Sequence, residues 1–586
     1  MTKTYTRKKI LILAVLLLFV FLFLGARLAY LMVVKADYYY EKAEDLHDRE
    51  RSIKAKRGVI YDRNGVELAG NEPVCSISVI HSQIEDEQAV ITTLSQALDL
   101  DEEEVSKKVK ANTIREKIKS NVDKKTADVI REKNLAGVMV DEDYKRYYPY
   151  NELASKVIGF TGADNQGIVG LEVKYDEILA GTPGSILTIT DANGLEVVNE
   201  AESRIEPVSG NNLYTTIDVN IQKYVQQAAE KIKTAKQAKR VSVILMNPQN
   251  GEILAMVNVP EYNLNEPYTL VGEEGTNQSG KMDALNNMWR NFCINDTYEP
   301  GSVFKIVTAT AALEEKVVSV DDVFHCPGYR VVDDRRIRCA KTTGHGTETF
   351  KEGIMNSCNP VFIDVGARVG VDRMYEYYNK LGLLECSGVD LPGEASSIMH
   401  KKENVGNVEL ATMSFGQSFQ ITPLQLLRAA SAVVNGGTLV TPHFAMYATN
   451  EENQVVKAYQ FDTKEQVISK DTSETMKEML EAVVSEGGGS KGAVEGYRIA
   501  GKTATSEKIP RGTGKYISAF LGIAPADNPQ IMGLILIDEP VGAYYGGIIA
   551  APVMSDIFSN ILPYIGIEEN YTEDIEETMV EFEIMD

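Results

Sequence analysis

Three short stretches carry the residue types that could do chemistry. The first is Glu299-Pro-Gly-Ser-Val-Phe-Lys305. Ser302 and Lys305 stand three apart where Pro300 and Gly301 give way to an apolar-periodic run through Ile306, Val307, Ala309, Ala311, Ala312 and Leu313, which predicts the start of a helix. That spacing sets the lysine amine one turn above the serine hydroxyl on the same face. The free N–H groups and positive dipole end of a helix N-terminus suit a site where an oxyanion forms. Alone, S-x-x-K reads rather as a helix cap followed by a snorkelling lysine. Two later stretches change that reading: Ser357-Cys-Asn359, where a helix predicted from Phe350 stops at Pro360, and Lys502-Thr-Ala504, on a predicted strand running from Tyr497 to Ser506. A serine nucleophile, two lysines and several hydroxyl and amide groups are the requirements of acyl transfer through a covalent serine intermediate.

The elements that position these groups belong to a chain of 586 residues, long enough for two to four domains. A formal net charge of -24 argues against an extended nucleic-acid footprint. Ile10 to Ala26 is unbroken apolar sequence preceded by Lys3, Arg7, Lys8 and Lys9. At about 1.5 Å per residue this run falls slightly short of the hydrocarbon core, but Arg27 can snorkel and Leu28 to Val34 extend the apolar segment. A cleaved signal peptide is the other reading, but no small-residue cleavage pattern follows the run. The expectation is a cytoplasmic tail (1–9), a single-pass transmembrane helix (10–34) with the basic flank inside, and an extracytoplasmic remainder. Of the six cysteines, Cys326 and Cys339 flank a turn and could pair in an oxidising environment; Cys75, Cys293, Cys358 and Cys386 read as individual packed thiols. With no C-x-x-C and no clustered His/Cys spacing, the sequence lends no support to a structural zinc site, and no metal or cofactor is expected.

Beyond the membrane run, Tyr38 to Arg57 reads as a charged helical stalk. Arg57-Gly-Val-Ile-Tyr-Asp-Arg-Asn-Gly65 is extended and ends in an Asn-Gly turn, with strands following at Val66–Leu68 and Val74–Val79. Charged periodic helices are predicted between Gln83 and Gly137, among them VSKKVKANTIREKIKS. The glycines from Gly159 to Gly184 lack the phosphate-loop pattern and read as turns, and SILTITDANGLEV reads as a hairpin through Asp191 to Gly194. No catalytic constellation occurs in this part, so 35–205 reads as a non-catalytic pedestal. From about 206 a helix framed by antiparallel core strands gives an α+β pattern without regular βαβ repetition, extending to 565. Residues 566–586 read as a solvated acidic tail.

Taken in order, Ser302-Val-Phe-Lys305, Ser357-Cys-Asn359 and Lys502-Thr-Ala504 resemble the S-x-x-K, S-x-N and K-T-G motifs of penicillin-binding proteins and serine β-lactamases. RGVIYDRNG, TYEPGSVFK, VDLPGE and SFGQSFQITPLQL extend the resemblance over nearly the whole chain. It is closest to the monofunctional class B penicillin-binding proteins of cell division, elongation or spore-cortex formation. The resemblance implies a membrane helix, an elongated pedestal of the dimerisation type, and a transpeptidase domain with an antiparallel sheet between helical regions. It implies a peptidoglycan D,D-transpeptidase that binds penicillin covalently. Ser302 would attack the penultimate D-Ala carbonyl of a D-Ala-D-Ala stem peptide, with neutral Lys305 taking its proton, its basicity tuned by nearby Lys502 and partial burial. Ser357 would relay a proton to the leaving amine, and Asn359 would bind Lys305 and the substrate amide. Lys502, Thr503 and Thr505 would hold the terminal carboxylate, and the Ser302 and Thr505 N–H groups would form the oxyanion hole. Ala504 departs from the family's glycine, which predicts a somewhat altered pocket. His345-Gly346 also matches a family segment, read as a buried structural histidine or a proton shuttle.

The alternatives are a D,D-carboxypeptidase or serine β-lactamase, which needs water at the acyl-enzyme, and a catalytically weak β-lactam sensor or scaffold. A large pedestal argues against the β-lactamase, and the few residues before the membrane run against a sensor. A SEDS-type membrane glycan polymerase and other cell-wall assembly proteins are the implied partners.

Overall fold

The computed structural model describes residues 2–35, 48–111, 115–189, 203–272 and 278–569. The stalk before 48, the Asp191 to Gly194 hairpin turn and the acidic tail beyond 569 lie outside them; from 48 on the expected helical stalk is instead extended, Asp48–Ile53 being a strand antiparallel to Gly184–Ile189. The elements are mixed helix and strand throughout, an α+β architecture. The chain forms two units, one of Met1–Lys56, Glu72–Lys145 and Gly181–Ser209, the other of Arg57–Asn71, Arg146–Ala180 and Gly210–Asp586.

In the first unit, helix Thr2–Ala29 continues into a π-helical turn, Tyr30–Val34. Within it Leu11–Val33 is long and apolar enough to cross a membrane, and its large apolar side chains are exposed. Gly546–Tyr564 in the second unit matches in length and composition, but half of it is buried there. Further on, the run VSKKVKANTIREKIKS is not continuously helical. Helix Glu102–Val109 ends early and Glu116–Val122 is a strand, antiparallel to the segment Cys75–Val79. Ile118 and Val122 enter the core with Ile77, Val79, Val90 and Leu94. Burial of the β-branched Ile118 and Val122 beside a partner strand outweighs the helical charge pattern.

The second unit is built on an antiparallel five-stranded sheet ordered Ile253–Val259, Arg240–Met246, Ile531–Asp538, Tyr516–Ala524, Ala500–Glu507. Its inner strands are apolar almost without alternation because helices cover both faces. Ile221, Val225, Met554, Ile557 and Phe558, from helices Val219–Lys236 and Ala551–Tyr564, pack with Val243, Leu245, Phe520 and Ile535. The opposite side chains, among them Ile244, Met246, Leu521 and Leu534, join the larger core that holds helices Lys305–Glu314, Pro423–Val434 and Lys470–Ser485. Burying these side chains contributes on the order of 1.5–3 kcal/mol each. Strand Ala500–Glu507 is left at the sheet edge, with one row of backbone groups unpaired by the sheet.

Candidate active site

The serine turn is held on three sides. Gly301–Phe304 is a 3-10 turn that passes into helix Lys305–Glu314. Gly301 has φ 57°, and a Cβ on it would come 2.3 Å from Ser506 Oγ, so only glycine allows the turn to approach the edge strand. The Gly301 N–H donates to the Gly416 carbonyl at 2.9 Å. Glu299, just before the turn, accepts from the Ser418 N–H and from Arg511 Nη2, each at 2.8 Å. Behind it Phe304 packs on Phe419 and Tyr378.

Lys305 is fully buried, and its amine gathers the first two motifs. Nζ lies 3.1 Å from Ser302 Oγ, 3.1 Å from Ser357 Oγ, 2.8 Å from Asn359 Oδ1 and 2.7 Å from the Ser357 carbonyl. Asn359 Nδ2 donates to the Arg338 carbonyl at 3.1 Å, which fixes its oxygen toward the lysine. Ser357 takes this position with a left-handed backbone, φ 54°, a conformation that costs of order 1–3 kcal/mol at a non-glycine residue. Pro360 does not stop a helix here. It occupies the first turn of helix Asn359–Lys380, where its missing N–H costs nothing, and the preceding helix ends at Met355.

Burial lowers Lys305 to about 8, partly opposed by Cys339, Cys358 and Glu348. Desolvation is therefore the first cause of its tuning. Lys502, also fully buried, is held well below the ordinary lysine value by burial first and by repulsion from Lys305 second. Lys502 Nζ donates to the Thr503 carbonyl at 3.3 Å.

Ser302, Ser357, Asn359, Thr503, Ala504 and Thr505 all line one open cleft of about 570 Å³. Thr505 Oγ1 accepts the Gly546 N–H at 3.0 Å, pinning the far wall to the edge strand. Ala504 is a buried strand residue with no positive φ, so its position does not demand glycine. Its methyl faces Gly301, where an added Cβ would still be 3.5 Å away, so alanine fits without displacing the serine turn.

Two features of the cleft escaped the sequence reading. Tyr516, Tyr544 and Tyr545 line it as a stack, with ring centroids 4.2 Å and 4.6 Å apart. The adjacent tyrosines in Gly542-Ala-Tyr-Tyr-Gly546 were the available signal. The second is a cluster beside the S-x-N motif. Cys326, Cys339, His345 and Cys358 place one potential ligand atom each within 4.8 Å of one another. All three sulfurs are buried free thiols; Cys386 is exposed and apart from them. The Cys358 thiol beside it pulls Cys339 down, and Cys339 and burial push Cys358 up.

Comparison with known proteins agrees with this geometry. The family model of the penicillin binding protein transpeptidase domain matches residues 241–559, and that of the penicillin-binding protein dimerisation domain matches 52–215. Stage V sporulation protein D of Bacillus subtilis is 37% identical, the alignment covering 96% of this chain and 86% of that protein. Peptidoglycan D,D-transpeptidase FtsI of Escherichia coli K12 is 30% identical, with 93% and 90% covered. Among solved structures, penicillin binding protein 3 of Mycobacterium tuberculosis complexed with aztreonam superposes with a TM-score of 0.67 at 25% identity, over 89% of this chain and 98% of that one. Penicillin binding protein 2X of Streptococcus thermophilus shares the fold with a TM-score of 0.73 at 20% identity, over 88% and 80%. The protein is a penicillin-binding transpeptidase by class, and the chain belongs to the class B penicillin-binding protein, or D,D-transpeptidase, family.

Proposed function

We propose that this chain is a membrane-anchored D,D-transpeptidase that cross-links peptidoglycan stem peptides through an acyl-serine intermediate. One observation carries the reading: a single buried amine of lowered pKa lies within hydrogen-bond reach of both serines and the asparagine. In its neutral form Lys305 accepts the Ser302 proton as Oγ attacks the penultimate D-Ala carbonyl, and the C–O bond forms as the amine takes the proton. The proton passes by way of Ser357 to the departing D-Ala nitrogen as the C–N bond breaks. An acceptor amine from a second stem peptide then attacks the ester, returns the proton by the same route and frees Ser302.

The two buried lysines compete for protons. A substrate carboxylate at Lys502, Thr503 and Thr505 favours charge on Lys502, and that charge in turn favours the neutral base at Lys305. Substrate backbone adds to the open edge of strand Ala500–Glu507, which brings the carbonyl toward the Ser302 and Thr505 N–H groups. Helix Thr2–Ala29 with its continuation to Val34 anchors the chain in a single pass, with the transpeptidase region extracytoplasmic. The pedestal region and the anchor contact a SEDS-type glycan polymerase that makes the strands to be joined.

The test is cross-linking by the full chain in detergent, supplied with nascent glycan bearing pentapeptide stems. Cross-linked dimers and released D-Ala from wild type, and neither from Ser302→Ala, support the reading. Released D-Ala with only uncross-linked tetrapeptides would make the enzyme a carboxypeptidase instead.

A further inference from the structure

The cysteine-histidine cluster is assembled by local structure that has no other evident use. Strands Val323–Cys326 and Gly346–Thr349 pair antiparallel with Cys326 opposite Gly346, which sets His345 next to the end that carries Cys326. Strands Tyr329–Val332 and Arg335–Arg338 form a second hairpin with Tyr329 opposite Arg338, so Cys339 returns to the same point. Its N–H donates to the Gly328 carbonyl at 2.9 Å. Gly328 and Gly344 have φ 92° and 85°. A Cβ on Gly328 would lie 2.1 Å from the Thr342 carbonyl oxygen, and one on Gly344 would lie 2.4 Å from that of Cys326. These two glycine turns press the loops together as sulfur ligands on short knuckles require. The fourth member, Cys358, caps helix Asn359–Lys380.

The ligand geometry suits a tetrahedral thiolate site. A four-coordinate zinc ion with Zn–S of about 2.3 Å separates its ligand atoms by roughly 3.5–4 Å. Here the four ligand atoms fall within 4.8 Å of one another, and His345 Nδ1 faces Cys339 Sγ at 3.7 Å. Glu348, 4% exposed, borders the cluster: its Oε1 lies 3.7 Å from His345 Nδ1, and its Oε2 accepts from Asn356 Nδ2 at 3.0 Å.

We propose that Cys326, Cys339, His345 and Cys358 bind one zinc ion, and that this ion positions the S-x-N motif of the transpeptidase site. Binding displaces three thiol protons to solvent and forms three Zn–S bonds and one Zn–N bond, leaving a centre of net charge −1. Its consequence for the site follows from connectivity. Cys358 lies between Ser357 and Asn359, which both hold the Lys305 amine. Cys339 follows Arg338, whose carbonyl holds the Asn359 side chain. One ion thus ties both sides of Asn359 to a fixed point, and all four ligands act as positioning residues. The proposal deepens the transpeptidase reading by naming what orders its second motif, while its first readout is independent of that reading.

The experiment uses the full chain purified in detergent without added chelator, with zinc measured by elemental mass spectrometry and thiols by intact mass after alkylation. About one zinc per chain is expected. Wild type and Cys386→Ser should retain it, and Cys339→Ser and His345→Ala should each lose most of it. Cobalt exchanged into wild type should show thiolate-to-metal charge-transfer absorption that Cys339→Ser lacks. Stripping the metal should slow acylation by a fluorescent penicillin at least tenfold, with recovery when zinc is restored. Absence of zinc together with a chain lighter by two hydrogens, its Cys326 and Cys339 refractory to alkylation, would overturn the proposal in favour of a disulfide. Reduced thiols that take up neither zinc nor cobalt would overturn it too. Stoichiometric zinc whose removal leaves acylation unchanged would refute the positioning role, and zinc binding without any acylation by penicillin would instead refute the transpeptidase reading.

Discussion

Asn359→Asp changes one atom of the site and should separate a chemical role for Lys305 from a merely structural one. The asparagine oxygen stands 2.8 Å from Lys305 Nζ. An aspartate puts a formal negative charge at the same distance with almost no change of shape. A carboxylate this close to a buried amine raises the amine's pKa by about 1–3 units. From a starting value of about 8, the neutral fraction at about pH 7.5 is roughly a quarter in the wild type and falls to about 0.3% for a shift of about two units. Since only the neutral amine accepts the serine proton, the acylation rate at that pH should fall roughly 50- to 100-fold. The sign of the pH dependence is fixed by the same reasoning. In the wild type the rate rises with pH through about 8, and in Asn359→Asp the whole rise moves to higher pH. Second-order rates of acylation by a fluorescent penicillin, measured across the alkaline range within the enzyme's stability, provide the assay. If both proteins show the same midpoint, or if the rate falls as pH rises through neutrality, Lys305 is not the base and the reasoning fails.

Other residues give separate tests. Glu172 is fully buried and accepts from Arg57 Nε at 2.7 Å and Arg146 Nε at 2.6 Å, so Glu172→Ala leaves two buried guanidinium groups without their common partner. A loss of about 3–5 kcal/mol in a denaturant titration is expected; a loss below about 1 kcal/mol would show that water reaches the pair. Gly301→Ala forces a Cβ to 2.3 Å from Ser506 Oγ and should slow acylation more than tenfold, with Ser506→Ala restoring part of the rate. Ala504→Gly should leave acylation within about threefold of wild type and cost about 0.5–1 kcal/mol of stability, because its backbone is ordinary strand; a large gain in rate would mean the methyl does obstruct substrate.

The sequence showed much of this site because its chemistry is locally encoded. Ser302 and Lys305 share a turn, Ser357 and Asn359 bracket one residue, and Lys502 to Thr505 lie on one strand, so each motif could be recognised from a few neighbours. What was not legible depends on distant pairing. Glu116–Val122 carries a helical charge pattern and becomes a strand only because Cys75–Val79 lies beside it. Pro360 was read as a stop, yet a proline at the start of a helix leaves the same local trace as one that ends a helix. The four members of the cysteine-histidine cluster come from two hairpins and a helix cap, so none of the close pair spacings that mark many zinc sites appears in the chain. For the lowered Lys305 pKa the sequence reading named partial burial, and burial is the first cause; its completeness is a property of the packed core and not of any motif.

The central claim, a serine acylated at Ser302, is tested most directly by the intact mass of the full chain after incubation with a penicillin, compared with Ser302→Ala. The account predicts a single penicilloyl adduct on the wild type, mapped by peptide fragmentation to Ser302, with a lifetime long relative to its formation, and no adduct on the variant. An adduct that persists in Ser302→Ala, or a wild-type chain that forms none, would contradict it.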